Sequence, residues 1–273
     1  MPADLVTLLP MAVVLVLIGA FAGVVGGLLG VGGGIVLVPA FFYAFQSLGL
    51  GGDHLMQVCV GTSLATIVVT SIRSVNGHSR RGAVDWEVLK RWGPGLVIGA
   101  ALGVLVAAQV KSLVLQAVFG GLAGVAGLYM AFGREHWRLG AAMPGLAGAG
   151  ILSSVVGFFS ALMGIGGGTF GVPLMSLYSL PIHRAVGTAS GFGILIAVPA
   201  VLGFLMMPLR DAPPLSIGAV NLPAFAIVIG STLVTTPWGV ALAHRMDPRP
   251  LKRAFAVFLT LVALNMLRKV AFG

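Results

Sequence analysis

Gly30-Val31-Gly32-Gly33-Gly34, with Pro39 five residues further on, is answered by Gly164-Ile165-Gly166-Gly167-Gly168, with Pro173 at the same spacing. Successive glycines make poor mid-helix sequence, each costing roughly 1 kcal/mol relative to alanine. A helix that starts after such a break turns unpaired N–H groups and a positive dipole end toward whatever lies there, which suits an anion. With no side chain in the way, an oxyanion can approach that backbone closely. Gly32, Gly33 and Gly34, with Gly166, Gly167 and Gly168, are therefore the candidate substrate-binding backbone. Pro39 and Pro173 lie on the same side of each break and are expected to hold the following helix bent. Thr62 and Ser63, in Val60-Gly61-Thr62-Ser63, open the next apolar stretch; Thr188 and Ser190, in Val186-Gly187-Thr188-Ala189-Ser190, do so in the second copy. Their hydroxyls are candidate anion donors, competing with ordinary capping and back-bonding. Ala189 stands where the first copy has Ser63, so the two half-sites are not chemically equal. Arg73, His183 and Arg184 are candidates for attracting an anion to a cavity mouth, as well as orientation signals.

These residues need a setting in which broken backbone survives. Charged residues make up 8% of the chain and hydrophobic ones 58%, where a soluble domain carries about a quarter charged. Residues 5–52 and 139–182 contain no Asp, Glu, Lys, Arg or His. Ten apolar stretches are readable, at 11–29, 32–48, 56–72, 93–110, 113–132, 144–163, 166–181, 186–207, 219–243 and 254–271. Most approach the ~20 residues of a spanning helix; those after the glycine clusters are shorter. In a bilayer, non-helical backbone is tolerated only where protein or a watery cavity satisfies it, so both clusters are expected to line something. Isolated glycines have another use. Gly23 and Gly27, Gly99 and Gly103, and Gly120 and Gly124 have the small-xxx-small spacing of close helix packing.

The duplication extends beyond the glycines. Gly82-Ala83-Val84-Asp85 is answered by Gly218-Ala219-Val220-Asn221. Residues 1–135 and 136–273 thus read as two copies of one five-segment unit. Charge gives their relative orientation. In the first copy the loop after the third segment is basic (Arg73, Arg80, Arg81, Lys90, Arg91), and the next hairpin has only Lys111. In the second, the corresponding loop has Arg210 beside Asp211, and the following hairpin carries Arg245, Arg249, Lys252 and Arg253 against Asp247. Basic loops stay cytoplasmic, so the copies are inverted and both termini are expected outside. Arg268 and Lys269 fit this poorly. The expected fold class is an all-α polytopic membrane protein, with about ten transmembrane segments in two inverted repeats and short broken or re-entrant helices at the glycine clusters.

The net charge of +9 does not indicate nucleic acid, because the basic residues sit in short loops and not on one polar face. Cys59 is the single cysteine, which excludes an internal disulfide and a cysteine metal cluster. No metal or cofactor is expected. No Asp, Glu, Lys or Arg lies mid-stretch, whereas cation carriers and proton pumps usually keep a membrane carboxylate. This favours an anion held by backbone and hydroxyl dipoles. An intramembrane hydrolase built on Ser63 or Ser190 lacks a histidine base within any apolar stretch, so no enzyme is expected. The partners implied are a small anionic substrate and the lipid bilayer.

At Gly30-Val-Gly-Gly-Gly-Ile-Val-Leu-Val-Pro39 and Gly164-Ile-Gly-Gly-Gly-Thr-Phe-Gly-Val-Pro173 the chain resembles the sulfite exporter TauE/SafE family of bacterial transporters. Val60-Gly61-Thr62-Ser63 and His183-Arg184-Ala185-Val186-Gly187-Thr188 support the resemblance, which covers essentially the whole chain. It implies a multi-pass inner-membrane carrier of small sulfur-containing anions or organic acids, such as sulfite, sulfoacetate or thiosulfate. A secondary transporter exporting such an anion by alternating access at a midplane site is the expectation. A passive anion channel and an importer of thiosulfate- or sulfate-like anions are the alternatives.

Overall fold

A computed structural model describes residues 5–50, 52–132, 138–209, 211–245 and 248–272. Ten helices form among the described residues: α1 (Leu5–Leu29), α2 (Gly34–Ser47), α3 (Leu55–Ser79), α4 (Trp86–Ala107), α5 (Ser112–Phe132), α6 (Leu146–Met163), α7 (Gly168–Leu177), α8 (Ile182–Leu205), α9 (Leu222–Ala243) and α10 (Pro248–Phe272). A two-residue hairpin, β1 (Ser216–Ile217) with β2 (Val220–Asn221), precedes α9. The protein is 78% helical. Seven helices (α1, α3, α4, α5, α6, α8 and α9) are long and apolar enough to cross a bilayer, while α2 and α7 are shorter apolar helices.

Helix ends depart from the apolar stretches where polar chemistry extends them. The third stretch was expected to end near residue 72, but α3 continues to Ser79, and α4 starts at Trp86 and not at 93. The polar segment 73–92 is therefore mostly helix. Its start is fixed by Asp85, whose carboxylate accepts from the Val88 N–H at 3.1 Å, and Glu87 in the first turn adds a favourable charge. Asn221 caps α9 in the same way, accepting from Ala224 N at 3.1 Å. Arg210 and Asp247 lie outside the described residues, as does the expected boundary at 135/136.

The helices pack in matched pairs. α1 lies along α9 and α6 along α4; α2 packs on α3 and α7 on α8; α3 meets α8 and α5 meets α10. Glycine makes the close crossings. A Cβ on Gly27 would collide with Thr236 O of α9, one on Gly99 with Ser154 O of α6, and one on Gly120 would come within 2.9 Å of Leu267 of α10. Gly61 and Gly187 give the α3–α8 layer the same closeness to Ala219 and Ala83. Residue levels show that α3 and α8 run antiparallel: Gly61 meets Phe204, while Gly193 meets Ser71. α3 forms the centre, with 83% of its most apolar window buried. Large apolar side chains such as Leu17, Leu105, Val125, Ile151 and Val234 cover the outside, as lipid requires and water would not allow.

Charges collect at one end of this bundle. There the C-terminal ends of α1, α3 and α9 meet the start of α8, as His78 reaches both Gly27 O and His244, and His183 stacks on His244. Arg80, Arg81, Arg184 and Arg245 sit at this basic end. The opposite end holds Asp53, His54 and Lys111 around a cavity of about 560 Å³. Lys269 also lies there, donating to Gln46 Oε1 and standing 4.7 Å from the centre of the Tyr43 ring.

Replacing Asp85 or Asn221 with alanine removes one cap each and should lower stability by about 1 kcal/mol, read as an earlier thermal melt of the detergent-purified protein.

Candidate functional site

The two glycine clusters touch. α1 ends at Leu29, the chain turns through Gly30 to Gly33, and α2 starts back at Gly34. α6, α7 and the residues 164–167 between them repeat that hairpin. Gly33 caps α2 at φ 81°, and Gly167 caps α7 at φ 78°. This left-handed backbone costs a residue with a Cβ about 1–2 kcal/mol. The first residue of each short helix abuts the other cluster: a Cβ on Gly34 would strike Gly164 O, and one on Gly168 would strike Gly30 O. Gly166 N donates to Val31 O across the contact at 3.2 Å. The paired breaks thus satisfy part of each other's backbone.

They meet halfway along the central helices. Gly32 and Gly166 both contact Ile67, the middle residue of α3, and Gly167 contacts Phe192 and Ile196 in the middle of α8. Two helix N-termini therefore point into one region at mid-depth. The first amides of α2 and α7 have no intrahelical acceptor. Both dipoles put positive potential on this region, and its neighbours are backbone carbonyls, hydroxyls and apolar side chains.

The four expected hydroxyls each have a definite place. Ser63 Oγ donates to Gly164 O at 2.8 Å, tying α3 to the second cluster. Ser190 Oγ donates to Gly187 O at 2.6 Å, one turn back. Thr62 Oγ1 accepts from Asn221 N at 2.9 Å, and Thr188 Oγ1 accepts from Asp85 N at 2.8 Å. These last two bonds are crossed, since each threonine holds the cap residue of a helix in the other half of the chain. Pro39 and Pro173 are each the sixth residue of their short helix, which continues past them. Arg73 is exposed on α3, six residues beyond Ile67 toward the basic end. Arg184 pairs with Asp85 at 2.8 Å and is half exposed. His183 lies in the first turn of α8.

Other polar groups surround the glycines, and sequence reasoning missed them. Ser71 Oγ lies 3.4 Å from where a Gly32 Cβ would stand, and Ser160 Oγ lies 3.8 Å from that of Gly167. Thr169 is the second residue of α7. These three hydroxyls are buried without a hydrogen-bond partner, as is Trp92 Nε1, whose ring stacks on Phe192 at 5.6 Å. Buried donors are nearly always paired, and these four are not. Thr70 Oγ1 donates to Gly32 O at 3.3 Å. Thr70 belongs to a polar stripe readable in the sequence, Thr62, Thr66, Thr70, Ser74 and His78 at every fourth residue of α3, but Ser71, Ser160, Thr169 and Trp92 lie outside it. Among the described residues no group of three or more His, Cys, Asp or Glu is placed to hold a metal.

The chain matches the family described as sulfite exporter TauE/SafE over residues 15–266. A probable membrane transporter protein of Haemophilus influenzae is 28% identical over 93% of this chain and 97% of its own length. One from Methanocaldococcus jannaschii is 26% identical over 97% of each chain. Another from Bacillus subtilis is 28% identical, covering 96% of this chain and 99% of its own. No solved structure matches.

Gly33→Ala should destabilise by about 1–2 kcal/mol through backbone conformation, and further because its Cβ would stand 2.7 Å from Ala22 O. Gly34→Ala should do so through overpacking, by about 1–3 kcal/mol. Gly121→Ala meets open space inside α5 and should stabilise by up to about 1 kcal/mol. Thermal melting of the three variants in detergent checks this order.

Proposed function

Because the chain belongs to the sulfite exporter TauE/SafE family, whose curated relatives are probable membrane transporters, we propose that it carries small sulfur-containing or organic anions, such as sulfite or sulfoacetate, outward across the bacterial inner membrane. The observation that carries this reading is the contact of two helix N-termini halfway along α3 and α8, ringed by unpartnered donors. Neutral donors and dipoles in a low-dielectric site attract an anion strongly. They also release it without the cost of separating an ion pair. In this reading Gly32–Gly34 and Gly166–Gly168 let the anion approach the backbone. Ser71, Ser160, Thr169 and Trp92 donate to it, while Thr62, Ser63, Thr188 and Ser190 hold the surrounding helices in place.

The ten helices act as two inverted five-helix repeats, residues 1–135 and 136–273. Three observations support this: packing partners that exchange when each helix is replaced by the one five places along, the antiparallel run of α3 and α8, and the paired glycine caps. The basic end faces the cytoplasm and both termini face the periplasm. Arg268 and Lys269 fit that orientation poorly; Lys269 bonds Gln46 and stands over the Phe42 and Tyr43 rings. Rocking of one repeat against the other around the fixed site gives alternating access. His183 and Arg184 at the basic end attract anions from the cell interior. With that interior negative, each anionic charge leaving gains about 2.3 kcal/mol per 100 mV, enough to drive export.

Thermal stabilisation of the purified protein across sulfite, sulfate, sulfoacetate, thiosulfate and acetate tests the site and its preference. Ser71→Ala and Ser160→Ala should each weaken the best ligand by roughly ten-fold or more, since a hydrogen bond to a charged group contributes about 1.5–3 kcal/mol. In liposomes, efflux that saturates, supports counter-flow and follows an imposed potential is expected. Flux indifferent to voltage would remove the export mechanism, and absence of counter-flow would favour a channel.

A further inference from the structure

We propose that His78 and His244 form a single-proton site that governs the packing of the basic end. His78 is buried at the last turn of α3, and His244 directly follows α9. Their rings meet through His78 Nδ1 and His244 Nε2 at 3.1 Å. The other nitrogen of His78 faces Gly27 O of α1 at 2.8 Å. A carbonyl only accepts, so His78 Nε2 carries a hydrogen in every state of this contact. Neutral His78 then has a bare Nδ1, and His244 must donate to it from Nε2. One added proton is accommodated, because N–H still faces a lone pair. A second places N–H against N–H with two like charges, and the contact must part. The pair therefore bridges α1, α3 and the end of α9 only while it holds no more than one extra proton.

The surroundings oppose charge on it. α1 and α9 carry no titratable group within their described helical residues. On the α3 side the Arg81 charge acts on both imidazoles, and Arg73, Arg80 and Arg81 are all exposed; from α8, His183 stacks over His244 at 6.1 Å. Arg245 follows His244, and the nearby acid, Asp85, is engaged by Arg184. Burial, then Arg81 and His183, hold the His244 imidazole below its ordinary value of 6.5. A histidine depressed on folding contributes stability that is present above the unfolded value and lost as pH falls through the folded one. Acid should therefore loosen this end. The three imidazoles do not make a metal site.

The position connects this site to the glycine breaks. Ser71, Ser74 and His78 share one face of α3, spaced three and four residues apart, and both serine hydroxyls are buried and unpartnered. A polar face thus runs from the anion region to the histidine pair. A proton taken up here and an anion on the same face favour one another, and by linkage each raises the other's affinity. That coupling rests on the transport reading; the proton site itself does not.

The test is the melting temperature of the purified protein between pH 8 and pH 5, for the native chain and for His244→Gln, His78→Gln and His183→Gln. The native protein should lose melting temperature on acidification. His244→Gln and His78→Gln should each abolish more than half of that loss, and His183→Gln should keep most of it. A native-like acid response in His244→Gln overturns the proposal, as does its disappearance in His183→Gln alone. If His78→Gln does not melt cooperatively, the partly exposed His244 decides the matter. In liposomes loaded with sulfite, the acid-side change in flux should vanish in His244→Gln. Flux insensitive to internal pH, together with an intact melting response, overturns the coupling while leaving the glycine-site variants to judge transport separately.

Discussion

A helix interrupted inside a bilayer must find partners for the amides and carbonyls it exposes, and lipid offers none. Here each interruption is built against the other. Gly34 lies on Gly164 O, Gly168 lies on Gly30 O, and Gly166 N bonds Val31 O. The rest of the architecture follows from that meeting. α2 and α7 are short because they start at mid-depth. α3 and α8 are central because they flank the contact, and the glycines are required because any side chain would separate the backbones. The unpaired remainder, amides at two helix starts and a few serine and threonine hydroxyls, is what gives the middle of the protein a polar character.

Much of this was legible in residue order. All-α membrane architecture followed from 8% charged residues, and ten helices occupy the ten apolar stretches. The glycine clusters and the paired Asp85 and Asn221 were readable because duplication separates signal from coincidence. What stayed hidden was of two kinds. The polar ends of α3 and α4 belong to no apolar run, so a reading by hydropathy cut both helices short, although Asp85 and Glu87 are good start signals. The hydroxyls near the glycines were hidden for another reason. Ser71 and Ser160 have no repeat counterparts, and a serine inside an apolar helix normally bonds its own preceding turn. Only three-dimensional placement shows which serines do not, as Ser154 does with Gly150 while Ser160 bonds nothing.

The two ends of the bundle share a scaffold and differ in chemistry. At the basic end Ala83 N bonds His78 O, and at the other Ala219 N bonds Phe204 O, the same corner in two places. Likewise Gln57, at the cavity end, bonds the carbonyls of Ala107 and Val110 in the α4–α5 hairpin, while His183 stacks on His244 beside the α9–α10 connection. One end is held by neutral amides and the other by imidazoles and an Arg–Asp pair. Equal frames with unequal fastenings let the two ends respond to different conditions.

The crossed threonine bonds bear on how such a chain is made. Asp85 can cap its own helix as soon as α4 emerges from the ribosome, but its N–H waits for Thr188, 103 residues later. Thr62 waits still longer for Asn221, 159 residues away. During synthesis the early helices must rest in the membrane with both corners unlocked, and each lock closes only when its late segment inserts. A chain stopped before α9 and its cap residue would leave Thr62 without its Asn221 partner.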